Sequence, residues 1–205
     1  MKVIRSSAFT LIELLVVISI IGILAALALP AITGALARGQ MTQTLSNMKQ
    51  LHLATQQMAL DATTTGDTNL GWPGDTGGSW TAWATNLLGG SYLSPNDFAK
   101  LLSAPGVIVG AGVSNAAPTK SAVLLYSVTE NSDGGTVFLS SANFTNSASG
   151  GAAPVATSKP YGNKGFIVFR KAGDGAILQV RQTGSQYTNI IGAFTNVVSG
   201  QPGVN

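Results

Sequence analysis

Ala8-Phe9-Thr10-Leu11-Ile12-Glu13-Leu14-Leu15-Val16-Val17-Ile18 opens an apolar run that extends from Phe9 to Ala37. The run holds one ionisable side chain, Glu13, and the next charge is Arg38. Leu14 to Ala37 is 24 uncharged residues, about 36 Å as a helix, enough to cross a hydrocarbon core of about 30 Å. Ahead of it lies a short polar leader, Met1 to Ala8, with Lys2 and Arg5. Positive charge on that side favours keeping it in the cytoplasm, although Arg38 flanks the far side. Three processed states fit: a permanent anchor, a secretory signal peptide cut near Ala26-Leu27-Ala28, or a segment trimmed at the leader boundary so that the apolar helix stays in the mature chain.

Glu13 discriminates among them. A carboxylate in a membrane helix costs about 2.5–3.5 kcal/mol at mid-bilayer and less near an interface. A plain signal peptide gains nothing from it. Either Glu13 is tolerated at headgroup level, or it meets a positive partner in the apolar phase.

The stretch Ala8 to Ile18 closely resembles the class III signal of type IV pilins and of the pseudopilins of type II secretion, over residues 1 to about 38. The resemblance implies cleavage by a prepilin peptidase between Ala8 and Phe9 and N-methylation of Phe9. It also implies that Glu13, the fifth mature residue, neutralises the N-terminal amine of a neighbouring subunit during filament assembly. Opposite charges attract strongly in low dielectric, and each is costly unpaired. Gly22 and Pro30 are further family features. Pro30 lacks an N–H and clashes with the preceding turn, which predicts a kink or melted turn over residues 26–30, or the end of the first helix. The family usually has Gly before the cut, where this chain has Ala8.

Beyond Pro30 the pattern predicts an amphipathic helix to about Leu60. Met41, Leu45, Met48, Leu51, Thr55 and Met58 recur at three- and four-residue steps, one face of a helix that packs against a C-terminal domain. Gln40, Thr42, Gln43, Ser46, Asn47, Lys49 and Gln50 occupy its other sides. From Phe9 to Leu60 a continuous helix is about 78 Å long. Half of it would be bare apolar surface outside a membrane, which implies lipid or other subunits. The one histidine, His52, lies beside the stripe and reads as a hydrogen-bonded boundary residue, not a catalyst.

Residues 61–205 form the third segment, after the leader 1–8 and the helix 9–60 (apolar over 9–37, amphipathic over 38–60). They hold 22 of the 25 glycines. Trp72-Pro73-Gly74-Asp75 signals a turn. Ser79 caps a short helix with Trp80, Trp83 and Leu87 on one face. Ser94-Pro95-Asn96-Asp97 starts another, with Phe98, Leu101 and Leu102 facing inward. Two hairpins follow: 122–128 with 136–141 around Asn131 to Gly135, and 165–170 with 176–181 around Ala172 to Gly175. Leu178 and Val180 alternate with Gln179 and Arg181, as in a sheet with one buried face. Residues 187–198 add another strand, and 143–158 reads as a mobile surface loop. The predicted fold is α+β, a long N-terminal transmembrane helix packed on a small antiparallel sheet, which is the architecture of the pilin family.

Charge and composition exclude several functions. The chain has no Cys, so no disulfide, zinc–thiolate site or Cys nucleophile is available. The net charge of +3 lies within residues 1–60, and residues 61–205 balance seven basic against seven acidic side chains. No net basic domain is left for nucleic acid. Asp75, Asp133 and Asp174 sit in glycine-rich loops. Major pseudopilins bind calcium through such loops, which makes Asp133 and Asp174 weak Ca²⁺ candidates, but Asp-Gly is also the ordinary tight-turn pair. Trp72, Trp80 and Trp83 read as core rather than a sugar platform. Gly173-Asp174-Gly175-Ala176 lacks the lysine of a phosphate loop.

No catalytic constellation emerges, and the chain reads as a structural subunit, not an enzyme. The expected partners are further copies and other pilins or pseudopilins, the prepilin peptidase, an inner-membrane assembly platform and lipid. The expected location is the bacterial inner membrane with the C-terminal domain in the periplasm, then a periplasmic or cell-surface filament. The missing cysteines favour a type II secretion pseudopilin over an adhesion or motility pilin, whose C-terminal domain is commonly disulfide-stapled. The competing reading is a membrane-anchored or secreted binding domain behind a generic apolar helix.

Overall fold

The computed structural model describes residues 10–110, 118–147, 151–154, 159–182 and 191–203. Helix α1 spans Leu11–Thr65, and the chain divides into two compact units, Met1–Gly39 and Gln40–Asn205. Thr10 and Glu13 form a capping box at the start of α1. The Thr10 N–H and hydroxyl donate to Glu13 Oε2 at 2.8 and 2.7 Å, and the Glu13 N–H donates to Thr10 Oγ1 at 3.3 Å.

Pro30 lies inside α1, so no turn is melted over residues 26–30 and the helix does not end there. A proline costs about 3 kcal/mol in a helix interior. The rest of a 55-residue ladder propagates past it, because extending an existing helix needs no new nucleus. The helix also outlasts the expected end near Leu60. The Thr63 hydroxyl donates to Leu60 O, and those of Thr64 and Thr65 donate to Asp61 O. Gly66, at φ +73°, then donates to Ala62 O at 2.9 Å and closes the helix in the left-handed conformation that glycine adopts at no steric cost.

In the second unit the expected stripe is the buried one. Met41, Met48, Leu51, Thr55 and Met58 are buried, with Leu45 packed against the core from its edge. Two neighbours assigned to other faces or passed over join them. Asn47 is buried and its Oδ1 accepts from Gln43 Nε2 at 3.1 Å. Thr44 is buried and shares a 2.6 Å hydrogen bond with the Tyr161 hydroxyl.

Facing this helix is a four-stranded antiparallel sheet in the order β1-β2-β5-β6, formed by Val123–Leu125, Val137–Ser141, Phe166–Arg170 and Gly175–Leu178. Both expected hairpins form: Leu124 pairs with Ser140, and Val168 with Ala176. Central strand β2 is buried along its whole length. Gly175 lets β6 approach α1 closely, because a Cβ there would collide with Leu45 Cδ1 and lie 2.6 Å from a Phe169 ring carbon. Val180 leaves the strand in a 3₁₀ turn, Val180–Gln182, so the alternation ends at Gln179.

Two expectations are corrected. Part of the 143–158 segment is a second sheet, β3 (Phe144–Ser147) antiparallel to β4 (Gly151–Pro154), with Asn143 and Phe144 buried. Phe144 stacks on Phe166 with centroids 4.4 Å apart, so an aromatic anchor outweighs a loop-like composition. The described part of 187–198 forms single bridges, Thr136 with Ala193 and Tyr126 with Val197, in place of a strand.

The two short helices form where capping predicted, α2 over Trp80–Gly89 behind Ser79 and α3 over Pro95–Leu101 behind Ser94. Trp80, Trp83 and Phe98 pack with centroids 5.2–6.3 Å apart, and Trp83 Nε1 donates to Thr55 Oγ1 at 3.1 Å, fastening α2 to α1.

Candidate assembly surface

The first unit buries almost none of what its sequence brings. Every large apolar side chain from Leu11 to Leu36 is 47–80% exposed. Burying a Leu, Ile or Val stabilises by about 1.5–3 kcal/mol. Fifteen such side chains leave on the order of 20 kcal/mol or more to be gained from lipid or from other chains. The helix is long and apolar enough to cross a membrane by length and composition. It is apolar on all sides, as a segment surrounded by lipid or by other helices requires.

Glu13 lies in this unit, its carboxylate engaged with Thr10 across the first turn. The same carboxylate that caps its own helix is therefore placed near the chain's start, with lone pairs left for a positive partner. Ala8 and Phe9 lie outside the described residues. A Cβ on Gly22, Gly34 or Gly39 would meet nothing within 4 Å. Each glycine costs roughly 1 kcal/mol relative to Ala in a helix, and nothing among the described residues compensates. Close approach by a neighbouring helix would.

In the second unit, Leu53 and Leu60 are 52% and 62% exposed, seven residues apart on one flank of α1. They border a groove of about 470 Å³ with Gln56, Gln57, Trp72, Glu130 and Lys171. The sequence carried this signal, since the seven-residue spacing repeats a helical face, but the methionine stripe overshadowed it.

His52 is buried, not at the boundary. Its ring packs against Trp72, Phe138 and Phe169 at 5.3–5.7 Å, and Nε2 donates to Lys171 O at 2.7 Å. Burial pushes its pKa below the usual histidine value, partly opposed by the bond to Lys171 O. Among the described residues no Ser, Asp or Glu side chain hydrogen-bonds its ring, and its bond to Lys171 O fastens α1 to the β5–β6 turn. Lys171, which sequence reasoning passed over, ties three segments together. Its Nζ donates to the carbonyls of Glu130 and Ser132 and sits 5.6 Å from the Trp72 ring centroid, while Trp72 Nε1 donates to Glu130 Oε2 at 2.7 Å.

The candidate calcium ligands serve their own turns. Asp133 Oδ1 accepts from the Gly135 N–H at 2.7 Å, and Asp174 pairs with Arg170. Asp75 Oδ2 accepts from the Glu130 N–H at 2.8 Å. Among the described residues no three His, Cys, Asp or Glu side chains group as metal ligands. Trp72, Trp80 and Trp83 are all core.

A capped, apolar N-terminal helix continuing into one packed on a small four-stranded antiparallel sheet is a pilin-like α+β architecture. The family model described as the prokaryotic N-terminal methylation motif matches residues 4–29. Two sequences of the type IV major fimbrial protein FimA of Dichelobacter nodosus are each 38% identical, over 84 and 91 residues. These alignments cover 41% and 43% of this chain and 47% and 51% of the relatives. A probable minor fimbrial protein of the same organism is 46% identical over 61 residues, 30% of this chain and 38% of its own length. The chain thus spans about half the length, or less, of the curated relatives it matches, and no solved structure matches it. The N-terminal segment is therefore similar to that of type IV fimbrial proteins and carries the prokaryotic N-terminal methylation motif.

Proposed function

We propose that this chain is a structural subunit of a type IV pilus-like filament. The observation that carries this reading is the methylation motif at residues 4–29, at the start of a helix whose large apolar side chains from Leu11 to Leu36 are all exposed. In this reading residues 1–8 are a leader removed by a prepilin peptidase between Ala8 and Phe9, and the new N-terminus is methylated. The helix first holds the subunit in the inner membrane and then moves from lipid to the fibre interior, so its apolar surface is covered in both states. Glu13 exchanges its Thr10 partner for the amine of a neighbouring subunit, a charge-assisted pair that sets register along the fibre. Gly22 gives room for close helix approach, and Pro30 leaves one carbonyl free of the helical ladder.

Two roles within this class are supported by different observations. The absence of Cys favours a pseudopilin of a type II secretion system. The names of the relatives, major and minor fimbrial proteins, favour a surface fimbria for adhesion or motility.

Glu13→Val tests the shared part of the reading. The variant inserts into membranes as the wild type does, and its incorporation into fibres falls sharply. Unaltered incorporation would remove the role given to Glu13.

A further inference from the structure

The C-terminal unit is electrically polar along α1, and contacts with the helix show which charge lies at which end. A side chain on Gly173 would touch His52 at 3.3 Å, one on Gly175 would strike Leu45, and one on Gly165 would reach Met41 at 3.1 Å. Strand β6 therefore runs from the middle of this helical stretch toward its Gln40 end. At that end the Tyr161 hydroxyl bonds Thr44 Oγ1 and donates to Gln40 O at 3.2 Å.

Lys159 and Lys164 flank Tyr161, and Arg181 lies three residues beyond Leu178, the partner of Phe166. Lys120 joins them. Ala122, two residues on, accepts from the Ala142 N–H, and the adjacent Asn143 Nδ2 donates to Gly162 O and Gly165 O. All four basic side chains are exposed, and among the described residues none of them is ion-paired with a carboxylate.

The other end lies about 30 Å away along the helix. There Asp61, Asp67, Asp75, Glu130 and Asp133 gather around the C-terminus of α1 and the β1–β2 turn, with Lys171 as the one ammonium among them. Asp67, Asp75 and Glu130 line an open groove of about 570 Å³. The remaining charges add little to this asymmetry. Lys49 lies between the ends, Lys100 shares α3 with Asp97, and Arg170 pairs with Asp174.

We propose that this polarity is an assembly contact between two copies of the chain: the basic end of one C-terminal unit (Lys120, Lys159, Lys164, Arg181) seats against the acidic end of the next (around Asp67, Asp75 and Glu130). The inference rests on the filament reading above and deepens it. Two different patches meeting head to tail make a heterologous contact, which propagates as an open fibre where its rotation does not close a ring. Like ends repel, so the polarity also selects parallel over antiparallel packing. Screening over about 8 Å at physiological salt confines the effect to units in contact.

The test uses full-length, membrane-processed chain and measures the fibre mass pelleted after shearing. Raising NaCl from about 0.1 M to about 1 M shrinks the screening length from about 10 Å to about 3 Å, and wild-type fibre mass falls several-fold. Two reversed chains are then made, one carrying Lys120→Glu, Lys159→Glu and Lys164→Glu, the other Asp67→Lys, Asp75→Lys and Asp133→Lys. Each alone brings two like-charged ends together, and its fibre mass drops about tenfold. Mixed, they alternate and recover to within about twofold of wild type. Wild-type fibres indifferent to salt, or reversed chains that polymerise alone as well as mixed, would overturn the proposal. The salt series on wild type decides the matter even if a reversed chain fails to fold. A wild-type chain that forms no fibres at any salt would instead sink the filament reading itself.

Discussion

Met48 and Leu53 are five residues apart on α1 and have opposite environments, and truncating each tests how the helix is docked. Met48 is fully buried in the core, whereas Leu53 is 52% exposed. Met48→Ala removes a side chain from a packed interior and leaves a cavity, a change that costs about 2–5 kcal/mol. For a folding unit of this size each kcal/mol lowers the melting midpoint by roughly 2–4 °C, so Met48→Ala melts about 4–20 °C below wild type. Leu53→Ala lies within about 0.5 kcal/mol of wild type, a midpoint change of about 2 °C or less. The assay is near-ultraviolet circular dichroism or tryptophan fluorescence of the full chain in detergent, since Trp72, Trp80 and Trp83 all report on this core. Equal shifts for the two variants, or a larger one for Leu53→Ala, would refute the assigned helix face.

Other predictions follow from individual contacts. His52 is neutral in its aromatic pocket with a lowered pKa. The unfolded chain therefore binds the proton more readily, and stability is lost as pH falls from about 6.5. A pH series of thermal melts shows this slope, and His52→Phe flattens it. Gly175→Ala places a methyl against Leu45 and Phe169 and destabilises by about 1–3 kcal/mol through overpacking; urea unfolding measures it, and a neutral result would mean that β6 sits farther from α1. Because Asp133 and Asp174 satisfy their own turns, the melting midpoint is the same in excess Ca²⁺ and in chelator. A rise of several degrees with Ca²⁺ would reveal a loop site.

Much of the fold was readable because each feature had a local cause. Ser79 and Ser94 announced α2 and α3 through their capping hydroxyls. The glycine-rich turns around Asp133 and Asp174 announced both hairpins. The methionine stripe announced the buried face of α1, since helical periodicity survives in sequence. What escaped depends on contacts between distant residues. Phe144 is fixed by stacking on Phe166 across a stretch of small polar residues, so composition pointed to a loop. Burial of Thr44 requires Tyr161, 117 positions away. Helix continuity through Pro30 is a cooperative property of the whole ladder rather than of one residue. Of the assembly surface, the apolar run and Glu13 were plain in sequence. The Leu53–Leu60 spacing was overshadowed by the methionine stripe, and the separation of charge along α1 was not legible, because net neutrality of residues 61–205 hides where in space the charges fall.

Trimming and methylation of the chain for assembly are tested by intact and N-terminal peptide mass spectrometry on protein from native membranes. The expected first residue is Phe9 carrying one added methyl group. A chain starting near Leu29, or one retaining Met1 to Ala8, would contradict it and leave the C-terminal unit as a binding domain on a generic anchor.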